Sequence, residues 1–176
     1  MRLIRLSVIR WWRNRKNLKK ALLQRIMVKN KTSAFDSALR FLGYRALSRK
    51  ELTEKLSRKG YGSEEIKSVL ERLETLHYVD DHSLADEVFA CYKKAGGYGN
   101  LYIFRKMKLR GLCCTSRLSY EEEVESARIL TEKKRSAMER SGRFLQKAAF
   151  LLSRRGYEAS VIAAVLEQEK ERQEHF

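Results

Sequence analysis

Asp80 and Asp81 stand side by side near the middle of the chain, and paired carboxylates can hold a metal or share acid and base work. Either chemistry needs a nucleophile or a second carboxylate pair converging on the same place, and the sequence sets none beside them. Between Tyr78-Val79 and the apolar Leu84-Ala85, the two aspartates read instead as a junction between helical units. One carboxylate is expected to cap the following helix and the other to pair with a nearby base. Cys91, Cys113 and Cys114 are odd in number and include an adjacent pair, so they form neither a disulfide framework nor a spaced metal knuckle and read as reduced thiols. His77, His82 and His175 are too scattered to supply four convergent zinc ligands. No catalytic group, no metal and no cofactor are expected, and the chain does not read as an enzyme.

Charge offers more. Lys and Arg outnumber Asp and Glu by 38 to 22, a net charge of +16, and such a balance calls for an anionic partner, nucleic acid foremost. An acidic membrane surface and a merely solvated positive face are the plainer alternatives. Eleven of the basic residues and no acidic one fall in residues 1–35, so the rest of the chain holds 27 basic against 22 acidic residues and is only mildly basic. Arg5, Arg10 and Arg13 interrupt every apolar run in that stretch before it reaches the length of a secretory signal, and no window approaches a membrane span. A cytoplasmic protein is expected, with residues 1–35 as a flexible basic extension. Two other readings of that extension are a transit-type segment and a true start at Met27, and Trp11 and Trp12 within it suit stacking on bases or a headgroup layer.

The elements that carry these charges are helical. Apolar residues recur three and four apart, as in Leu52, Leu56 and then Ile66, Val69, Leu70, Leu73, and no stretch reads as a strand. Gly60, Gly111 and Gly156 each close a basic amphipathic helix at the place where a left-handed residue ends one. Aligning on them exposes a repeat: Leu56-Ser-Arg-Lys-Gly60-Tyr61, Met107-Lys-Leu-Arg-Gly111-Leu112 and Leu152-Ser-Arg-Arg-Gly156-Tyr157. Ile66, Val69 and Leu70 match Ile162, Val165 and Leu166 in offset, whereas Leu118 in the second copy falls one place late. A helix precedes each closing helix, at 36–44, 83–94 and about 121–138. The all-α expectation is therefore three tandem three-helix repeats, at 36–79, 80–120 and 121–172, forming an elongated curved array behind the basic extension. Ser48 with Glu51 and Ser119 with Glu122 are capping boxes, and Ser63 and Ser83 mark two further helix starts. Tyr44, Tyr61, Tyr78 and Tyr157 sit at helix ends, where the ring packs inward and the hydroxyl stays wet.

Lys59, Arg110 and Arg155 occupy the same place before the closing glycine of each unit, and Arg58 and Arg154 lie one step earlier in two of them. Lys or Arg near a helix C-terminus complements the dipole, worth about 0.3–1 kcal/mol, which is sufficient for any single residue. It accounts less well for runs such as Arg105-Lys106-Met-Lys108-Leu-Arg110 and Lys133-Lys134-Arg135. The expected contacts to a partner or to DNA are therefore Arg45, Arg49, Arg58, Lys59, Arg105, Lys106, Lys108, Arg110, Lys133, Lys134, Arg135, Arg154 and Arg155, with the positions before the glycines exposed.

Ala38-Leu-Arg-Phe-Leu-Gly-Tyr-Arg45, Ser48 with Glu51-Leu52, Leu56 with Gly60, and Tyr78-Val79-Asp80-Asp81 followed by Leu84-Ala85 resemble the RecX regulatory proteins. The resemblance runs from about Asp36 to Glu167. It implies three tandem three-helix repeats, no catalysis, and binding along the groove of the RecA recombinase filament, whose activities in DNA repair and recombination it modulates, most often by inhibition. A monomer is expected, with weak contact to single- or double-stranded DNA and none to membrane. The compressed segment at Cys113 to Tyr120 and the basic extension depart from the family pattern. A general DNA-binding helical-repeat protein is the alternative that basic helical units alone would predict.

Overall fold

The computed structural model describes residues 32–113, 115–140 and 142–174. The basic extension up to residue 31, with Trp11, Trp12 and Met27, lies outside the described residues. Eight helices and no strand occur among those described: α1 (Ala34–Tyr44), α2 (Arg49–Arg58), α3 (Ser63–Thr75), α4 (Asp81–Ala95), α5 (Asn100–Leu109), α6 (Tyr120–Glu139), α7 (Phe144–Arg154) and α8 (Ala159–Glu174). They group into two compact units that divide after Asp81. None of these helices is long and apolar enough to cross a membrane.

In the first unit α1, α2 and α3 pack on one another through Ala38, Leu42, Leu52, Leu56, Ile66, Leu70 and Leu73. The recurrence of these residues three and four apart gives each helix one apolar stripe, and burying each leucine contributes about 1.5–3 kcal/mol. α1 begins two residues earlier than the sequence suggests because the Ser33 hydroxyl accepts the Asp36 amide at 3.1 Å. Ser48 and Glu51 close the expected capping box on α2. At α3 the cap is Gly62, with Ser63 as the first helical residue and Glu64 and Glu65 in the positive first turn. Likewise α4 starts at Asp81 rather than at Ser83.

The second unit holds α6, α7 and α8 around Ala127, Leu130, Leu152, Val161 and Val165, together with the buried Ile103 and Met107 of α5. The third helix expected after Gly111 does not form. Residues 112–119 are non-helical as far as they are described. This stretch is pinned by Asn100, which is 0% exposed, donates from Nδ2 to the Leu118 carbonyl at 3.0 Å and accepts the Leu118 amide at 2.8 Å. The Ser119 capping box then starts α6, leaving too little chain for another helix.

Gly60, Gly111 and Gly156 have φ of +87°, +76° and +74°. In all three turns the residue after the glycine donates back to the carbonyl five residues before it: Tyr61 to Leu56, Leu112 to Met107 and Tyr157 to Leu152. Gly156 has a second constraint. The Gly99 amide donates to the Arg155 carbonyl at 2.9 Å and the Leu101 amide to the Gly156 carbonyl at 3.1 Å, so the end of α7 caps the start of α5. A Cβ on Gly156 would lie 2.3 Å from the Tyr102 amide nitrogen.

Two tyrosine hydroxyls are bonded rather than wet. Tyr61 pairs with the buried Ser37 at 2.8 Å and donates to the Thr32 carbonyl at 2.7 Å. Tyr157, only 2% exposed, pairs with Ser126 at 2.9 Å, and Ser126 Oγ accepts the Gly97 amide at 2.9 Å. Burial is the main reason that the Tyr157 phenol is pushed above its ordinary range. Tyr44 does not pack inward at all: it is 89% exposed.

Candidate functional site

Lys59, Arg110 and Arg155 share one backbone state, each the right-handed C-cap ahead of its glycine, yet their side chains differ. Lys59 is exposed; its Nζ donates to Ser37 Oγ at 3.1 Å and sits 5.3 Å from the Phe41 ring centre. Arg110 and Arg155 are half-buried. Arg155 Nη1 donates to the Gly97 carbonyl at 3.4 Å, and its guanidinium lies 4.8 Å over Tyr98. The expected exposure of these positions holds for Lys59 and is corrected for Arg110 and Arg155. Packing α5 against the end of α7 encloses what a local repeat leaves open.

Several of the other cations are engaged within the fold. Arg45 grips Glu51 with two bonds, of 2.9 and 3.2 Å, across the α2 capping box. Arg49 pairs with Glu74, and that hydrogen bond is the main reason its pKa is raised. Arg58 meets Glu54 one turn back at 3.5 Å, an exposed contact of little consequence. Arg135 is the most heavily engaged of the expected contact residues. It binds Glu132, Glu139 and Glu169 and lies over the Phe144 ring, and Glu169 is 2% exposed. A buried carboxylate needs such a cation, so internal neutralisation accounts for Arg135. Lys108, Lys133, Lys134 and Arg154 remain exposed.

At the aspartate junction Asp81 makes a structural bond to a distant helix. Asp81 Oδ1 accepts the Arg49 amide at 2.9 Å, capping the start of α2 rather than that of its own helix. Asp80 is exposed and directly precedes α4. Among the described residues no group of His, Cys, Asp and Glu could hold a metal, and Cys91 and Cys113 are free thiols.

The aromatic half of a cluster in the second unit, around the expected Arg105, Lys106 and Arg154, went unread in the sequence. Tyr98 and Tyr102 stack with ring centres 4.6 Å apart, and Tyr92 meets both edge-on at 5.4 and 6.0 Å. Arg105 and Lys106 lie 5.5 and 5.3 Å from the Tyr102 ring centre, and Arg154 lies 5.6 Å over Phe150. Burial is the first cause of a raised Tyr92 phenol. The available signal was the Gly96-Gly97-Tyr98-Gly99 break followed within one turn by Tyr102 and Arg105-Lys106. A cavity of 440 Å³ opens between Tyr98, Tyr102, Phe150 and Arg154. A second, of 840 Å³, is lined by both signs of charge, Lys93 and Lys133 facing Glu121, Glu122 and Glu125. There Lys93 donates to Glu122 at 2.6 Å and is the main cause holding that carboxyl below its ordinary range.

Residues 34–73 match the family model described as RecX, first three-helix domain. The Regulatory protein RecX of Pelodictyon phaeoclathratiforme is 30% identical over 142 residues, covering 78% of this chain and 89% of the relative. That of Geobacillus thermodenitrificans is 33% identical over 141 residues, covering 76% of this chain and 52% of the relative. The chain spans about half the length of the Bacillus and Geobacillus relatives it matches. The crystal structure of RecX from Lactobacillus salivarius superimposes with a TM-score of 0.66 at 19% identity, over 77% of this chain and 93% of that one. A second crystal structure, of a regulatory protein RecX, gives 0.69 at 20% identity, over 76% and 71%. These likenesses show the all-helical fold.

Proposed function

The chain belongs to the RecX family, which is a family of regulatory proteins and not of enzymes, and on that premise we propose that it binds the RecA recombinase filament on DNA in the cytoplasm and restrains its activity. Such a regulator makes and breaks no covalent bonds; it acts by occupying a surface the filament needs. The observation that carries this reading is the match to RecX relatives over 76–82% of the chain. Exposed cations at the C-cap of α2 and on α5, α6 and α7, namely Lys59, Lys108, Lys133, Lys134 and Arg154, support it, because a nucleoprotein filament presents phosphate and acidic surface together.

The second reading, a DNA-binding protein that needs no recombinase, draws on the tyrosine and arginine cluster of the second unit. Light scattering of RecA filaments on single-stranded DNA, titrated with the full chain, separates the two. The regulator reading expects saturation far below one chain per nucleotide and a change in filament length or turnover. An identical titration with RecA omitted, reaching the same endpoint, leaves only the DNA-binding reading.

A further inference from the structure

The 440 Å³ slot in the second unit has walls unlike the rest of the surface. Its lining holds the stacked pair Tyr98 and Tyr102 together with Phe150, which is 64% exposed, and Leu151. Arg154 and Arg155 complete the lining, and no acidic residue takes part in it. Arg105 and Lys106 stand behind Tyr102, within cation–π reach of its ring.

The loop that carries Tyr98 is held at three points. The Gly97 amide donates to Ser126 Oγ at 2.9 Å, Arg155 Nη1 to the Gly97 carbonyl at 3.4 Å, and the Gly99 amide to the Arg155 carbonyl at 2.9 Å. The slot is therefore a feature of the fold, and a ligand would not have to order the loop in order to enter it. Its volume falls in the range of about 300–1,000 Å³ typical of small-molecule sites.

A large exposed phenylalanine lining the same slot as a tyrosine pair suits a flat π-system, and the cations around them suit an anion attached to it. An unpaired nucleobase on its phosphate backbone has both. An acidic peptide would engage the cations but brings no flat ring to the aromatic walls. In a duplex the base faces are already stacked.

We infer that the Tyr98, Tyr102 and Phe150 slot takes one unstacked base of a single DNA strand, with Arg154 meeting an adjoining phosphate. Arg155 is a positioning residue, tying Gly97 in place while its guanidinium covers Tyr98. The inference deepens the DNA-contact part of the proposed function and requires no recombinase, so the two fail separately.

The test is fluorescence anisotropy of labelled oligonucleotides of about 12 nucleotides with the full chain at roughly 0.15 M salt, comparing a thymidine strand, an abasic strand of equal length and a duplex. Phosphate contacts, including any made by the basic N-terminal stretch, are common to the first two strands, so their difference isolates the base. The parent is expected to prefer the thymidine strand by about 5-fold or more, the lower end of base–aromatic stacking. Phe150→Ala removes that preference without weakening abasic binding, and Phe150→Trp restores it. Circular dichroism checks that these variants keep their helices, which the exposure of Phe150 favours. Equal affinity of the parent for thymidine and abasic strands, or an unchanged preference in Phe150→Ala, overturns the slot, as does a duplex bound as tightly as the single strand. Filament light scattering with the parent chain separates the two claims: a parent that regulates filaments but shows no base preference removes the slot and leaves the filament reading standing.

Discussion

The carboxylate of Asp81 accepts the backbone N–H of Arg49 at 2.9 Å, joining residues 32 positions apart. It adds a third anchor to the start of α2, where Ser48 Oγ already takes the Glu51 amide and the Glu51 carboxylate takes the Ser48 amide. Asp81→Ala should cost about 0.5–2 kcal/mol in urea denaturation, and Asp81→Asn, which keeps an acceptor, clearly less. Equal losses in the two would dissociate stability from this bond.

The three closing glycines should not respond alike. At Gly60 the left-handed backbone is the whole constraint, since an added Cβ meets nothing within 4 Å, and Gly60→Ala is expected to cost about 1–2 kcal/mol. At Gly156 the same strain is joined by backbone only 2.3 Å from the new carbon, so Gly156→Ala should cost at least about 1 kcal/mol more, from overpacking. Thermal melts of the two variants decide it; a Gly156 variant as stable as the Gly60 one would mean that α5 is free to move away.

Ser126 serves two partners, and its loss is not equivalent to that of Tyr157. Ser126→Ala strands both the Tyr157 hydroxyl and the Gly97 amide, at about 1–3 kcal/mol, while Tyr157→Phe leaves Ser126 bonded to Gly97 and should cost about 0.5–1.5 kcal/mol. A double-mutant cycle between them should give a coupling of about 0.5 kcal/mol or more. Strict additivity would argue against the pair.

Glu123 gives the fold a pH signature. Burial is the first cause raising its carboxyl above the ordinary range, against the opposing hydrogen bond from the Asn100 amide at 2.7 Å. Because the folded state holds this proton more tightly than the unfolded chain, the stability linked to it is present in full below the ordinary carboxyl range and is lost as pH rises through the raised value. Glu123→Gln keeps an acceptor for Asn100 and removes the titration. Its melting temperature should therefore gain on the parent as pH rises from about 4 towards 7. A constant gap across that range would show that burial of the charge carries no penalty.

Within one basic run, Arg135 and its neighbours should separate stability from binding. Arg135→Ala leaves the buried Glu169 with the longer contact to Arg172, at 3.6 Å, and a loss of about 2–4 kcal/mol is expected, close to that for breaking a buried pair. Lys133→Glu with Lys134→Glu changes exposed positions and should leave the melt nearly unaltered while weakening filament binding. Filament binding that survives this charge reversal would take α6 out of the contact surface.

Everything in this protein that depends on a few consecutive residues was determined by the sequence itself. Helical period, the left-handed glycines at 60, 111 and 156, and the capping boxes at Ser48 and Ser119 are set by backbone sterics and by hydrogen bonds spanning at most five residues. The family resemblance carried by Ala38 to Arg45 and by Tyr78 to Ala85 was likewise local in its motifs. Tertiary structure decided which charges and rings meet. Arg135 and Lys134 are adjacent letters of one type, but only Arg135 reaches Glu169, because α8 packs beside α6 at that turn. Tyr61 and Tyr157 follow their glycines identically, while their serine partners lie 24 and 31 residues upstream, the offset differing with the length of the helix that carries each serine. Ion pairs and ring contacts act over a few ångströms, and proximity at that scale between residues tens of positions apart arises only when helices pack, which is why the slot between Tyr98 and Phe150 exists in the fold and not in any stretch of the sequence.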